Sequence, residues 1–216
     1  MTCCEGFTSC NGFSLMVLLL LAVALNAVPL VIYKLQDDEV ISCFEWWLPG
    51  ILGAGVLAIP ATTMALSARK RKGCNNRCGM ILTSFLSILT IGGALYCVLV
   101  SLLALFEGPL FCNYNYNNKN ITISNCTFSM ETLRHIHQHM NESLTLQWFY
   151  STCESDLNNS TTISSEEKKL KIIHLTVFTG LVLVGLLEIL FSISQIVIGV
   201  LGCCCGVSKQ RNRRTW

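Results

Sequence analysis

Hydrophobic residues in this chain do not alternate with polar ones; they gather in four long runs. The first covers residues 13–33, 21 positions without a charge. At 1.5 Å of rise per residue, a helix of that length reaches about 31 Å, close to the roughly 30 Å hydrocarbon thickness of a bilayer. The second run covers 48–68 and is also uncharged, and the third covers 80–106. The fourth, 172–203, carries one formal charge, Glu188. A soluble core does not need four such stretches. In lipid every backbone amide must be satisfied within its own segment or a closed barrel, so runs of this length predict helices. The pattern predicts an all-α integral membrane protein, a four-transmembrane-helix bundle. It divides the chain into a tail (1–12), helix one (13–33), a short loop (34–47), helix two (48–68), a basic loop (69–79), helix three (80–106), a long loop (107–171), helix four (172–203) and a basic tail (204–216).

Charge orients the spans. The loop after helix two holds Arg69, Lys70, Arg71, Lys72 and Arg77 and no acid, and the C-terminal tail adds Lys209, Arg211, Arg213 and Arg214. Lys and Arg in short loops mark the cytosolic side. The 34–47 loop instead holds Asp37, Asp38, Glu39 and Glu45 against Lys34. Four spans then leave both termini in the cytosol. Five glycosylation sequons, at Asn120, Asn125, Asn141, Asn158 and Asn159, all fall in the long loop, on the side that charge assigns to the outside. Asn158 and Asn159 overlap, so at most one of them is expected to be modified efficiently. Helix one is oriented less strongly. Its tail lacks Lys and Arg while Lys34 follows it, so the later basic cluster must set the topology, which leaves room for a minority inverted form. The missing basic n-region and the length of the first run argue against a cleavable signal peptide.

Cysteines divide by compartment. Cys43, Cys112, Cys126 and Cys153 fall on the outer side, where two disulfides with three possible pairings are expected. Cys112–Cys153 with Cys43–Cys126 is the favoured arrangement; one disulfide with two buried thiols is the alternative. Cys3, Cys4, Cys10, Cys74, Cys78, Cys203, Cys204 and Cys205 lie at or near the inner membrane ends and are acylation candidates. Zinc binding by Cys74, Cys78 and the 203–205 triplet is the rival reading, on permissive spacing alone. Cys97 is mid-span and reads as packing.

Few polar residues enter the spans. Glu188 should face the bundle interior and have a partner. Asn26 is the natural candidate, because counting from Phe13 and Gly202 puts the two at matching depths. Gln195 follows Glu188 by two turns on nearly the same face. The plain reading is a hydrogen bond fixing helices one and four. The sharper one is a proton or cation site, or a polar anchor for a sterol or lipid headgroup. Gly50, Gly53, Gly55 and Ala58, with Gly92 and Gly93, read as close-packing positions. Pro29 and Pro60 should kink their helices. Trp46 and Trp47 suit the outer interface.

Catalytic motifs are not evident. His135, His137 and His139 resemble a metal cluster: all three align on a strand, whereas on a helix only His135 and His139 meet, and solvated histidines are the commoner outcome. The chain contains no nucleophile elbow, phosphate loop, zinc-protease motif or kinase set. The basic 69–72 run could attract anionic lipid, although setting topology suffices to explain it. Arg211 and Arg213 form an Arg-x-Arg pattern like an endoplasmic-reticulum retention signal.

Several strings together carry a resemblance: Cys43-Phe-Glu-Trp-Trp-Leu-Pro-Gly50, Ile59-Pro-Ala61, Cys74-Asn-Asn-Arg-Cys-Gly79, Tyr96-Cys97, Glu107-Gly-Pro-Leu110 and Ser194-Gln-Ile-Val-Ile-Gly199. With Gly202 and the following cysteines, they resemble the transmembrane-four L-six family over nearly the whole chain outside 113–167. The resemblance implies four spans, cytosolic termini, a small disulfide-bonded and glycosylated second outer loop, and a Cys112–Cys153 pair within it. True tetraspanins differ, since Cys126 follows Asn125 and the large loop has no Cys-Cys-Gly. Claudins carry their large outer loop first. The resemblance implies a non-enzymatic scaffold or regulator that binds other membrane proteins laterally and controls their trafficking, stability, processing or signalling. The alternative is a lipid- or sterol-responsive protein using Asn26 and Glu188, with topology-dependent activity as one form of it. Expected partners are membrane proteins and lipids, not nucleic acid; homo- and hetero-oligomers both remain open. No cofactor is expected beyond N-glycans, with a bound lipid or sterol only under the second reading. The expected location is the endoplasmic reticulum, the plasma membrane or both.

Overall fold

The computed structural model describes residues 3–35, 47–70, 77–108 and 163–205. These contain helices and no strand. Helix α1 is Cys3–Leu35. The second span is composite: a π-helical segment Pro49–Gly55, a 3-10 turn Val56–Ala58 and then α2, Ile59–Lys70. Helix α3 is Arg77–Glu107 and α4 is Ile163–Cys205. The apolar windows within them are Thr8–Val31, Pro49–Ser67, Ile81–Phe106 and Lys168–Leu201, each long enough to cross a bilayer.

The helices outrun the apolar runs. α1 starts ten residues before Phe13, and α4 starts nine before Ile172, inside a polar stretch. Hydropathy marks where a helix needs lipid, whereas hydrogen bonding continues until the backbone finds another partner or water.

The second span is irregular for reasons visible in its residues. Pro49 has no N–H, and Gly50, Gly53 and Gly55 carry no Cβ to hold the backbone in the α well. Leu48, placed before Pro49, is left-handed at φ 46°, a conformation that costs an L-residue roughly 1–2 kcal/mol. Its carbonyl accepts the Leu52 N–H at 2.8 Å. Pro60 follows the 3-10 turn at the start of α2, where it cannot donate to a preceding carbonyl. Pro29, by contrast, lies inside a continuous α1. Irregular backbone at membrane depth must be covered by protein. Pro49, Gly50, Gly53, Ala54 and Gly55 are buried accordingly.

α3 and α4 share the most extensive interface, and α1 packs on α4 and α2. Their contact follows a 3-4 spacing. The buried positions on α3 include the series Thr83, Ser87, Thr90, Ala94, Cys97, Ser101 and Ala104; those on α4 include His174, Phe178, Leu181, Gly185, Glu188, Ser192 and Gln195. A 3.5-residue period is the seam of left-handed helix pairs. Small residues set the separation. A Cβ on Gly185 would lie 2.7 Å from Val98 Cγ2, and one on Gly53 would lie 2.7 Å from the Gly93 carbonyl. Gly93 meets Gly53 and Leu57 in the same way. Gly92 faces outward with nothing within 4 Å, unlike its neighbour. Large apolar side chains such as Phe13, Leu20, Phe85, Leu99, Leu183 and Leu190 point away from the bundle, as lipid-facing residues do.

Candidate functional site

The bundle interior holds a set of polar residues that hydrophobic packing does not explain. Asn26 of α1 is 2% exposed. Its Oδ1 accepts the Gly50 N–H at 2.8 Å. The first N–H groups of a helix have no internal acceptor, and at this depth water is scarce. Asn26 therefore caps the second span from a neighbouring helix. Gly50 makes this possible: a Cβ there would sit 2.5 Å from the Ala22 carbonyl and 2.9 Å from Asn26 Cβ.

Glu188 of α4 is fully buried, as are Ser192 and, at 2% exposure, Gln195. Neither Glu188 oxygen has a hydrogen-bond partner among the described residues. The expected Asn26–Glu188 bond is not formed. Two contacts fix the antiparallel register of α1 and α4. Asn11 Nδ2 donates to Ser194 Oγ at 3.1 Å, and a Cβ on Gly180 would lie 3.0 Å from Leu25 Cδ1. Asn26 is thus level with the turn around residue 179. Glu188 lies nine residues further along α4, about 14 Å at 1.5 Å per residue. Matching depths were inferred by treating Phe13 and Gly202 as opposite ends, whereas α1 and α4 meet about ten residues out of that register. Asn26 and Gln195 are correspondingly farther apart still.

α3 supplies the facing level. Cys97 Sγ lies 3.8 Å from the Leu181 carbonyl, and Gly185 packs against Ala94 and Val98. Glu188 falls one turn beyond that contact toward the C-terminal end of α4, within electrostatic range of Cys97. Thr90, at the same depth, directs its hydroxyl to the carbonyls of Leu57 and Leu86, at 3.4 and 3.3 Å. It thereby serves a carbonyl of the 3-10 turn. On the N-terminal side of Glu188 the α4 seam is apolar, with Leu181 and Phe178 both 1% exposed. Beyond them His174 packs its ring 4.6 Å from that of Phe178, and Lys171 is also buried.

The remaining candidates are placed as follows. Cys97 is buried, as a packing residue should be, and Cys10 is exposed near the start of α1. Trp47 packs on the core and its carbonyl accepts the Tyr96 hydroxyl at 2.9 Å. That bond joins two of the strings that carried the family resemblance. Cys3, Cys4, Cys78, Cys203, Cys204 and Cys205 lie on helices. Cys43, Cys112, Cys126, Cys153, Cys74, Trp46, the five sequon asparagines, the three loop histidines, Arg211 and Arg213 fall outside the described residues.

Sequence reasoning passed over Asn11, Ser192, Ser194, Lys171 and His174. Asn11 stood in a stretch read as a tail. His174 and Ser192 stood inside an apolar run, where their 3-4 spacing with Glu188 was the available signal.

Comparison with known proteins agrees with this architecture. The family profile described as "L6 membrane protein" matches residues 2–209. The chain is 53% identical to Transmembrane 4 L6 family member 20 of Homo sapiens, over 99% of both chains. It is 51% identical to the protein of that name in Mus musculus, again over 99% of both. Transmembrane 4 L6 family member 1 of Homo sapiens is more distant, at 26% identity over 91% of each chain. No solved structure matches. With four apolar helices packed through small residues and a family match across almost its whole length, the chain is a multi-pass integral membrane protein of the L6 membrane protein family.

Proposed function

We propose that this protein is a non-enzymatic membrane scaffold that binds other membrane proteins through its lipid-facing helix surfaces and controls their trafficking, stability, processing or signalling. The observation that carries the reading is Gly92. Gly12, Gly50, Gly53, Gly93, Gly180 and Gly185 each meet a neighbouring segment of the bundle, whereas Gly92 meets nothing within 4 Å. Glycine inside a helix costs roughly 0.5–1 kcal/mol relative to Ala, and no internal contact here offsets that cost. Leu89, Leu95, Tyr96 and Leu99 surround it on the outward face, also exposed. A notch of this kind, amid large apolar side chains, lets the backbone of another helix approach closely. The partner is then a transmembrane helix with its own small-residue face.

A photocrosslinking residue at Leu95 in cells tests this. The expected result is a discrete adduct with another membrane protein that disappears in Gly92→Leu while the amount of folded protein is unchanged. An adduct pattern identical in Gly92→Leu, or crosslinking to lipid alone, would sink the proposal. The lipid- or sterol-responsive reading has less support. It needs a shared Asn26–Glu188 site open to the bilayer, but Asn26 is engaged by Gly50 and Glu188 is fully buried.

A further inference from the structure

The C-terminal half of α4 carries buried polar side-chain atoms that the rest of the bundle leaves without hydrogen-bond partners. Glu188 Oε1 and Oε2, Ser192 Oγ and Gln195 Oε1 are all enclosed and lack a hydrogen-bond partner among the described residues. Spacing of four and then three residues places the three side chains on one helix face, across two turns. Buried oxygens of this kind must find a donor or a cation, because leaving each unsatisfied costs roughly 1–3 kcal/mol.

Chemistry narrows the occupant. The donor set is one carboxyl, one hydroxyl and one amide oxygen, which suits a hard cation rather than a soft metal that prefers sulfur or imidazole. A single carboxylate balances a single positive charge. A divalent ion would leave an uncompensated charge near the middle of the membrane, where that is costly. Cys97 of α3 lies within electrostatic range of Glu188, and its thiol is directed to the Leu181 carbonyl. On the facing α3 seam Ser87 and Thr90 are buried, and their hydroxyls are given to backbone carbonyls, Ser87 to that of Thr83 and Thr90 to those of Leu57 and Leu86.

On the N-terminal side of Glu188, Leu181 and Phe178 close the seam. On the C-terminal side, Gln195 is followed by the Asn11–Ser194 pair near the start of α1. We propose that Glu188, Ser192 and Gln195 line a buried site for one monovalent alkali cation. This does not depend on lateral binding at Gly92, and the two proposals fail separately.

Sodium is the probe. The full-length protein is placed in lipid nanodiscs and its thermal unfolding is followed by tryptophan fluorescence, with choline chloride exchanged for sodium chloride at constant ionic strength. A ligand that binds only the folded state raises the midpoint in a saturating manner. The expected result is a rise of several degrees in wild type, no rise in Glu188→Gln, and a roughly tenfold higher sodium requirement in Ser192→Ala. Where Glu188→Gln does not fold, Ser192→Ala and Gln195→Leu carry the comparison, because both retain the carboxyl group. A wild-type midpoint indifferent to sodium overturns the proposal, as does one that follows pH alone and so assigns the site to a proton. A sodium effect of equal size in wild type and every variant overturns it too.

Discussion

Asn26 shows how much one side chain can decide inside a membrane. Its position in an apolar run invited a pairing with the other conspicuous polar residue, Glu188. The side chain instead serves the Gly50 N–H, a donor left over from the start of a helix. Removing the acceptor leaves that donor buried and unsatisfied, but it also removes the Asn26 Nδ2, itself buried without a partner among the described residues, so Asn26→Leu is expected to lose about 1 kcal/mol, the low end of the cost of an orphaned group. Asn26→Asp keeps an acceptor oxygen and should lose less. Unfolding by denaturing detergent in mixed micelles measures both; equal losses would mean that the cap is not what matters. The polar residues inside the spans were legible as interior-facing from their cost in lipid. Their partners were not legible, because Gly50 offers a backbone group that no residue type announces.

At the scale of the element, the second span departs most from what hydropathy suggests. It reads as a plain apolar stretch, yet it begins as a π-helical segment and passes through a 3-10 turn. Its glycines and Pro60 were visible as packing and kink signals. Which glycine packs inward was not visible, since Gly92 and Gly93 are adjacent and chemically identical. A side chain at 93 would run into the Gly53 backbone and Leu57. Gly93→Leu is therefore expected to destabilise by at least the roughly 1–3 kcal/mol typical of overpacking. The yield of protein that survives mild detergent without aggregating reads this directly, and wild-type behaviour of Gly93→Leu would contradict the close approach of α3 to the second span.

For the whole molecule, the question is register. Small shifts between helices are invisible in hydropathy, because lipid-facing and buried residues are both apolar. Asn11 opposite Ser194 and Leu25 opposite Gly180 set α1 against α4. Paired cysteines test this, because disulfides form only when Cα atoms come within about 7 Å. Asn11→Cys with Ser194→Cys is expected to crosslink under mild oxidation, identified by mass spectrometry of the joined peptides. Asn26→Cys with Glu188→Cys, separated by about 14 Å along the axis, is expected not to. The opposite outcome would restore the depth match that simple counting from the ends of the apolar runs suggests.

Length and charge pattern along the chain are properties that lipid reads locally. They were sufficient for four helices and for the interior placement of Glu188, since each segment must satisfy its backbone by itself and a buried charge faces away from hydrocarbon. The 3-4 spacing of Glu188, Ser192 and Gln195 was also present in the sequence, as was the family resemblance. Tertiary structure alone decided which helices those residues face and at what depth. It separated Asn26 from Glu188, joined Asn11 to Ser194, turned Gly93 inward and left Gly92 open. The physical reason is that helix–helix contact in a membrane is selected by shape. Without water to drive burial, the register is fixed by where a missing Cβ lets two backbones touch, and that complementarity belongs to a pair of surfaces rather than to either segment.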